Sequence, residues 1–159
     1  MGLLFSTAHL GHPERAWRAM SQWKTSWLSR EGLLALITYV PALLLCVIWT
    51  AMVIQLFSPQ SINDLENYVA FIGGVCGLCA ISTVFCTGKI YASLKTIPAW
   101  NYFLTTPIFF LLSIVNGLLL WIFFNCVFSY KVNNFVVLFS VFMLGAAFLL
   151  KWVYWNFVD

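Results

Sequence analysis

Charged residues are scarce in this sequence of 159 residues, where Asp, Glu, Lys and Arg together make up only 8%. Soluble domains carry about 25% charged residues because their surface faces water. So few charges cannot cover a water-facing surface of this size, and a soluble enzyme is therefore excluded. Residues 1–8 also lack the basic start and the long apolar core of a signal peptide.

Hydrophobic residues make up 62% of the chain, and they occur in long runs rather than alternating with polar ones. A run of 18 or more apolar residues without charge is a candidate membrane-spanning helix. The charge-free runs are 32–63, 67–88, 96–130 and 132–150. We therefore predict an all-α, polytopic transmembrane helix bundle in residues 32–159. After trimming of the polar ends, its spans are 33–57, 67–88, 103–130 and 132–155.

The part of the chain before the first predicted span contains the longest polar stretch near the N-terminus, at residues 11–31. Residues 1–10 have the character of the end of a preceding transmembrane helix, and residues 11–31 form a basic, aromatic interfacial loop. Pro13 suits the first turn of a short helix, where a missing N–H costs nothing. In such a helix Trp17 lies on an apolar face, whereas Arg15 and Arg18 lie on another. Short basic helices with aromatic faces lie in the headgroup plane of a membrane.

The basic residues fall almost entirely on one predicted side of the membrane. Only Lys131 lies on the other side. Lys and Arg in short loops accumulate on the cytoplasmic side, so the loops 9–31 and 89–102 are predicted to face the cytoplasm together. The cluster in 15–30 can either anchor to anionic lipid or dock an acidic partner. The seven residues on the basic side are Arg15, Arg18, Lys24, Arg30, Lys89, Lys95 and Lys151.

The second predicted span carries two small-residue features. Cys76 and Cys79 form a CxxC pair that fits either a quinone-coupled thiol oxidoreductase or simple helix packing, although a thiolate is disfavoured in mid-span. Gly73 and Gly77 have the small-xxx-small spacing at which another helix approaches closely. In the first span, Pro41 predicts a kink unless neighbours satisfy the freed carbonyl. A structural or transport bundle without a redox role also remains open.

Histidine occurs only at positions 9 and 12, beside a predicted span boundary. No set of Cys and His residues has metal-ligand spacing, and no histidines lie within spans on different helices. Neither a zinc site nor a haem is therefore expected. His9 and His12 are either polar groups wetted by lipid headgroups or proton-exchanging partners for a lipid-soluble redox molecule.

Two polar stretches of the chain resemble the membrane-anchor family of dimethyl sulfoxide reductase. The first is HLGHPERAWRA at 9–19, followed by WKTSWLSRE at 23–31, and it is similar to that family's helix-ending element and loop. The second is Tyr91 with TIPAW at 96–100 and TP at 106–107. The two elements occur in the family's order and bracket the first two spans, whereas the last fifty residues match only in hydropathy.

The resemblance implies a non-catalytic subunit of a quinone-linked molybdoenzyme. Such anchors hold a four-cluster iron–sulfur subunit and a molybdopterin catalytic subunit on the membrane. They exchange electrons with quinone or quinol (menaquinone or ubiquinone), and they bind no haem, metal or nucleic acid. The residues implied for quinone binding are His9, Gly11, Pro13, Arg15 and Trp17. Those predicted to dock the partner are Arg15, Arg18, Lys24, Arg30, Tyr91 and Trp100.

Family members usually have eight spans and about twice this length. The sequence therefore corresponds to a stretch from the end of the second span to about the sixth, as in a fragment or a shortened relative. The dimethyl sulfoxide reductase branch places its catalytic subunits outside the cytoplasm, opposite to the side predicted by the charge pattern. The sequences HPERAWRA and TSWLSRE look more like the branch of cytoplasmic sulfite-oxidising molybdoenzymes. This resemblance favours a location in the inner membrane with the motif loops in the cytoplasm.

Overall fold

The structure is a computed structural model and describes residues 13–15, 17–54, 59–128 and 130–158, without the side chains of residues 13, 19 and 59–64. Within these ranges the secondary structure is entirely helical, and no strand occurs. Two short pieces precede four long helices. They are a 3-10 turn at Pro13–Arg15, α1 at Arg18–Ser21, α2 at Trp27–Val53, α3 at Pro59–Ala92, α4 at Thr105–Val127 and α5 at Asn134–Val158.

Four helical segments in the described ranges are long and apolar enough to cross a membrane. They are Trp27–Val53, Leu65–Ala92, Thr105–Val127 and Asn134–Val158. The predicted all-α class with four spans is thereby confirmed. The helix ends differ from the predicted span limits, because a charge-free run marks the hydrocarbon-soluble part of a helix rather than its hydrogen-bonded ends.

The start of α2 shows this difference most clearly. Ser26 has an extended backbone, and its hydroxyl accepts a hydrogen bond from the Ser29 backbone N–H at 3.4 Å. Ser26 is thus the N-cap, the position that serine favours because it satisfies a free N–H of the first turn. Ser29, Arg30 and Glu31 follow this cap as the third to fifth residues of α2, although the predicted span begins only at residue 33. The helix also runs through Pro41 without interruption.

Compact packing divides the chain into two units, one up to Cys86 and the other from Thr87 onward. In the first unit, the Trp27 and Phe85 rings meet edge to face with their centroids 6.0 Å apart. A Cβ atom built on Gly73 or Gly77 has no neighbour within 4 Å. The predicted close helix contact at these two glycines is therefore wrong for the described part of the chain, where both face open space.

In the second unit, α4 and α5 form the main helix–helix contact. Their buried residues are small or medium-sized: Thr105 and Val115 on α4, and Ser140 and Ala147 on α5. Small side chains let helix backbones approach closely in a membrane, where burial of apolar surface gives little drive to associate. The Ser140 hydroxyl donates to the Val136 carbonyl at 2.7 Å, so its polarity is satisfied within its own helix.

The closest backbone approach among the described glycines occurs at Gly88, near the end of α3. A Cβ atom at this position would lie 3.0 Å from Thr106 Cγ2 and 3.1 Å from Thr106 Cα. Thr106 belongs to the first turn of α4, so the missing side chain of Gly88 allows this turn to pack against α3. Gly88 and Ala92 also have the small-xxx-small spacing, but Gly88 was not among the glycines predicted to make a close helix contact.

Candidate functional site

The residues implied for quinone binding are only partly within the described ranges. His9 and Gly11 lie outside them, and Pro13 is described by its backbone alone, in the 3-10 turn. Arg15 and Trp17 are both exposed, and Arg15 Nε lies 3.9 Å from Glu14 Oε1. An ion pair between such exposed groups contributes little to stability. The exposed Arg15 guanidinium is therefore accessible to a partner or a lipid headgroup.

The segment 17–30 repeats one arrangement, in which a cationic group lies over a tryptophan ring. Arg18 Cζ is 5.9 Å from the centroid of Trp17, and Lys24 Nζ is 5.8 Å from that of Trp23. Trp17 and Trp23 are 60% and 51% exposed, so both rings also face the surroundings. Exposed indole rings with cations beside them suit the water–membrane interface, where one side is apolar and the other wet.

Arg30 differs from the other basic residues because the chain itself uses its guanidinium. Its Nε donates to the Trp23 carbonyl at 2.8 Å, and its Nη2 donates to the Lys24 carbonyl at 2.7 Å. The guanidinium also lies 4.3 Å from the centroid of the Trp27 ring. These contacts fix the turn that leads into α2. Arg30 therefore orders the predicted docking surface, whereas Arg18 and Lys24 stand exposed on it.

Replacing Arg30 with alanine should loosen this turn, because two carbonyls lose charge-assisted hydrogen bonds that are stronger than neutral ones. We expect faster cleavage by trypsin after Lys24 in detergent-solubilised Arg30→Ala protein. Arg30→Lys should recover only part of the protection, since an ammonium lacks the planar fork that reaches both carbonyls. A cleavage rate in Arg30→Ala equal to that of the wild type would show that the clamp does not order the turn.

Ser29, one residue before Arg30, has a buried side chain that the sequence did not predict. It is only 3% exposed, and its Oγ has no hydrogen-bond partner among the described residues. A buried hydroxyl without a partner costs about 1–3 kcal/mol. Ser29 lies in the first turn of α2, and its backbone N–H donates to the Ser26 hydroxyl that caps the helix.

Tyr91 and Trp100, predicted to dock a partner, meet each other in the second unit. Their rings lie edge to face with centroids 5.2 Å apart, and Tyr91 also stacks on Phe109 at 5.1 Å. The three rings form one wall of a cavity of about 360 Å³, which we call the aromatic cavity. Its other lining residues are Thr105, Ile108, Leu112, Lys151, Tyr154 and Trp155.

Two side-chain hydrogen bonds fix the loop that carries Trp100. The buried Thr105 hydroxyl donates to the Trp100 carbonyl at 2.8 Å, and the Tyr154 hydroxyl donates to the Ala99 carbonyl at 2.6 Å. The loop between α3 and α4 is thereby tied to the C-terminal part of α5. The second bond joins residues 55 positions apart in the chain, and no local sequence pattern predicts such a contact.

The thiols of the CxxC pair lie within the spanning segment of α3. Cys76 and Cys79 are free and half-buried, one helical turn apart. Among the residues that the structure describes, no group of three or more His, Cys, Asp or Glu side chains is placed to hold a metal ion.

Comparison with known proteins gives two matches. The DMSO reductase anchor subunit (DmsC) family matches residues 1–154. A sulfite dehydrogenase subunit of Allochromatium vinosum is 34% identical over 123 residues, which cover 75% of this chain and 37% of that protein. The matched part is thus little more than a third of the relative's length. No solved structure matches the chain.

Proposed function

Because the chain belongs to the DMSO reductase anchor subunit family, we propose that it binds quinone or quinol and passes electrons between the quinone pool and an iron–sulfur subunit. That subunit in turn serves a molybdopterin catalytic subunit. The family match over residues 1–154 carries this proposal. The name of the Allochromatium vinosum relative favours a complex that oxidises sulfite.

We place the quinone beside the motif loop of the first unit, with His9 as the proton-exchanging group. Gly11 and Pro13 shape the chain around it, Trp17 offers an apolar wall and Arg15 offers a donor. The resemblance of residues 9–19 to the family's helix-ending element supports this placement. The thiol-oxidoreductase alternative has no comparable support, and Cys76→Ala with Cys79→Ala should leave quinone-linked electron transfer intact.

The docking surface for the iron–sulfur subunit is, in this proposal, the exposed basic face of Arg15, Arg18 and Lys24. Arg30 orders that face through its bonds to the Trp23 and Lys24 carbonyls. The partner must present acidic groups, and the attraction falls with salt because exposed charges are screened within about 8 Å at physiological ionic strength.

Reversing the charge of Arg15 and Arg18 together should release the iron–sulfur subunit from membranes, and raised salt should increase the release. The measurement is the fraction of that subunit sedimenting with membranes that contain either the double variant or the wild type. Lys131→Glu serves as the control, because Lys131 lies in the turn between α4 and α5 on the predicted opposite side. If neither the double charge reversal nor raised salt changes the membrane-bound fraction of the subunit, the basic face anchors the chain to lipid instead.

We further propose that the motif loops face the cytoplasm, as the seven-to-one distribution of basic residues favours. In a chain with its native cysteines replaced, an impermeant thiol reagent added from outside should label a cysteine introduced at Asn63 and spare one at Ala99. Both positions become reactive after membrane disruption, which controls for local burial. Labelling of Ala99→Cys but not Asn63→Cys from outside would reverse the orientation.

A further inference from the structure

Lys151 is an exposed charged residue two turns before the end of a membrane-spanning helix. It belongs to α5, which continues through residues 152–158 after it, a distance of about 10 Å at 1.5 Å rise per residue. Its immediate neighbours Leu150, Trp152 and Val153 are apolar. A cation among such residues is costly unless it meets an anion or reaches the headgroups.

The Lys151 side chain borders two cavities of the second unit. One is the aromatic cavity already described, whose wall includes Tyr91 and Trp100. The other, which we call the apolar groove, has a volume of about 490 Å³ and is also lined by Leu112, Leu144, Ala147, Phe148, Trp152 and Trp155. Leu112 and Trp155 belong to both linings, so the two spaces adjoin along the lysine.

The chemistry of the combined space is that of an amphiphile site with one positive charge. Lys151 is the one charged residue in either lining, and no carboxylate accompanies it there. The apolar groove offers hydrocarbon contacts, whereas the aromatic cavity offers the Tyr91 ring and the indole of Trp100. Tyrosine and tryptophan side chains favour the headgroup level, where an apolar body meets a polar phase.

We propose that this space binds an anionic phospholipid, with its phosphate paired to the Lys151 ammonium. One acyl chain lies in the apolar groove against Leu144 and Phe148, and the polar end lies at the mouth of the aromatic cavity. Charge complementarity selects this occupant, because an ammonium-to-phosphate hydrogen bond is charge-assisted. A neutral amphiphile such as a quinone would fill the groove but leave the lysine without a counter-charge.

The test is native mass spectrometry of the full chain, released from detergent with either phosphatidylglycerol or phosphatidylcholine. A single lysine near an anionic headgroup contributes about 1 kcal/mol, so phosphatidylglycerol should bind about fivefold more tightly. Lys151→Gln should abolish this preference, and Lys151→Arg should keep it. The matched control Lys131→Gln removes the same charge outside both cavities and should leave the preference unchanged.

A second pair of variants tests the groove without altering charge. Leu144→Trp fills part of the apolar groove and should reduce retention of phosphatidylglycerol. Leu138→Trp places the same bulk elsewhere on the exposed surface of α5 and should not. Equal binding of the two lipids by the wild type, or a preference that survives Lys151→Gln, would overturn the proposal. Equal effects of the two tryptophan variants would overturn the assignment of the acyl chain to the groove.

Discussion

Replacement of His9 with alanine will abolish quinone-coupled turnover of the assembled complex, with a loss of at least about a hundredfold, the lower end of what a positioned acid–base group contributes. Oxidation of a quinol to a quinone releases two electrons and two protons, and quinone reduction takes up the same number. A site that couples these steps needs a group that exchanges protons near neutral pH, and histidine is the side chain suited to that range. His9 belongs to residues 1–10, which are predicted to end a preceding transmembrane helix, whereas His12 belongs to the loop that follows.

Four controls separate this role from a structural one. His9→Ala protein should still insert into membranes and should still retain the iron–sulfur subunit. Turnover with an artificial soluble electron carrier should survive, because that carrier delivers electrons without using the quinone site. His12→Ala should keep most of the quinone-linked rate. Normal quinone turnover in His9→Ala would reduce His9 to a polar residue wetted by headgroups.

Alanine at Gly88 will destabilise the chain by about 1–3 kcal/mol, the usual range for overpacking a close contact. The new Cβ would lie 3.0 Å from Thr106 Cγ2 and 3.1 Å from Thr106 Cα. The methyl group can move, but the Cα atom moves only if the first turn of α4 moves. The measurement is reversible unfolding in mixed micelles with increasing fractions of sodium dodecyl sulfate.

Gly77→Ala is the matched control, because Gly77 lies on the same helix with open space around it. Alanine is favoured over glycine in a helix by about 1 kcal/mol, so this variant should be as stable as the wild type or more so. Adding Thr106→Ser to Gly88→Ala removes the methyl group and should restore part of the lost stability. Equal stabilities of Gly88→Ala and Gly77→Ala would mean that the contact at Thr106 is unimportant.

The fold class could be predicted from the sequence, because a long run without charged residues indicates a helix surrounded by lipid rather than by water. The limits of the helices did not follow, since a helix backbone continues through interfacial polar residues such as Arg30 once Ser26 caps its start. The glycines show the same limit for packing. Gly73 and Gly77 fit a helix-contact spacing but face open space, whereas Gly88, which has the same spacing to Ala92, makes the close contact. The spacing alone therefore does not tell which glycine meets another helix.

The sequence identified several residues of the candidate site, but it did not predict the contacts that these residues make. Charge alone marked Arg30 as a docking residue, but its position relative to the Trp23 and Lys24 carbonyls depends on the turn before α2. Tyr91 and Trp100 were predicted to dock a partner, yet their rings line the aromatic cavity together with Lys151. That cavity joins residues from α3, α4 and α5, and no local pattern in the sequence reports such a meeting.

The most direct measurement of the proposed function is electron exchange between quinone and the iron–sulfur subunit in membranes that contain this chain. Cluster signals are followed by electron paramagnetic resonance after anaerobic addition of quinol to oxidised clusters, or of quinone to reduced ones. We predict that one of the two additions changes the cluster signals in the presence of the chain, and that neither does so in membranes without it. Clusters that stay unchanged after both additions, with the iron–sulfur subunit bound to the chain, would contradict the proposed function.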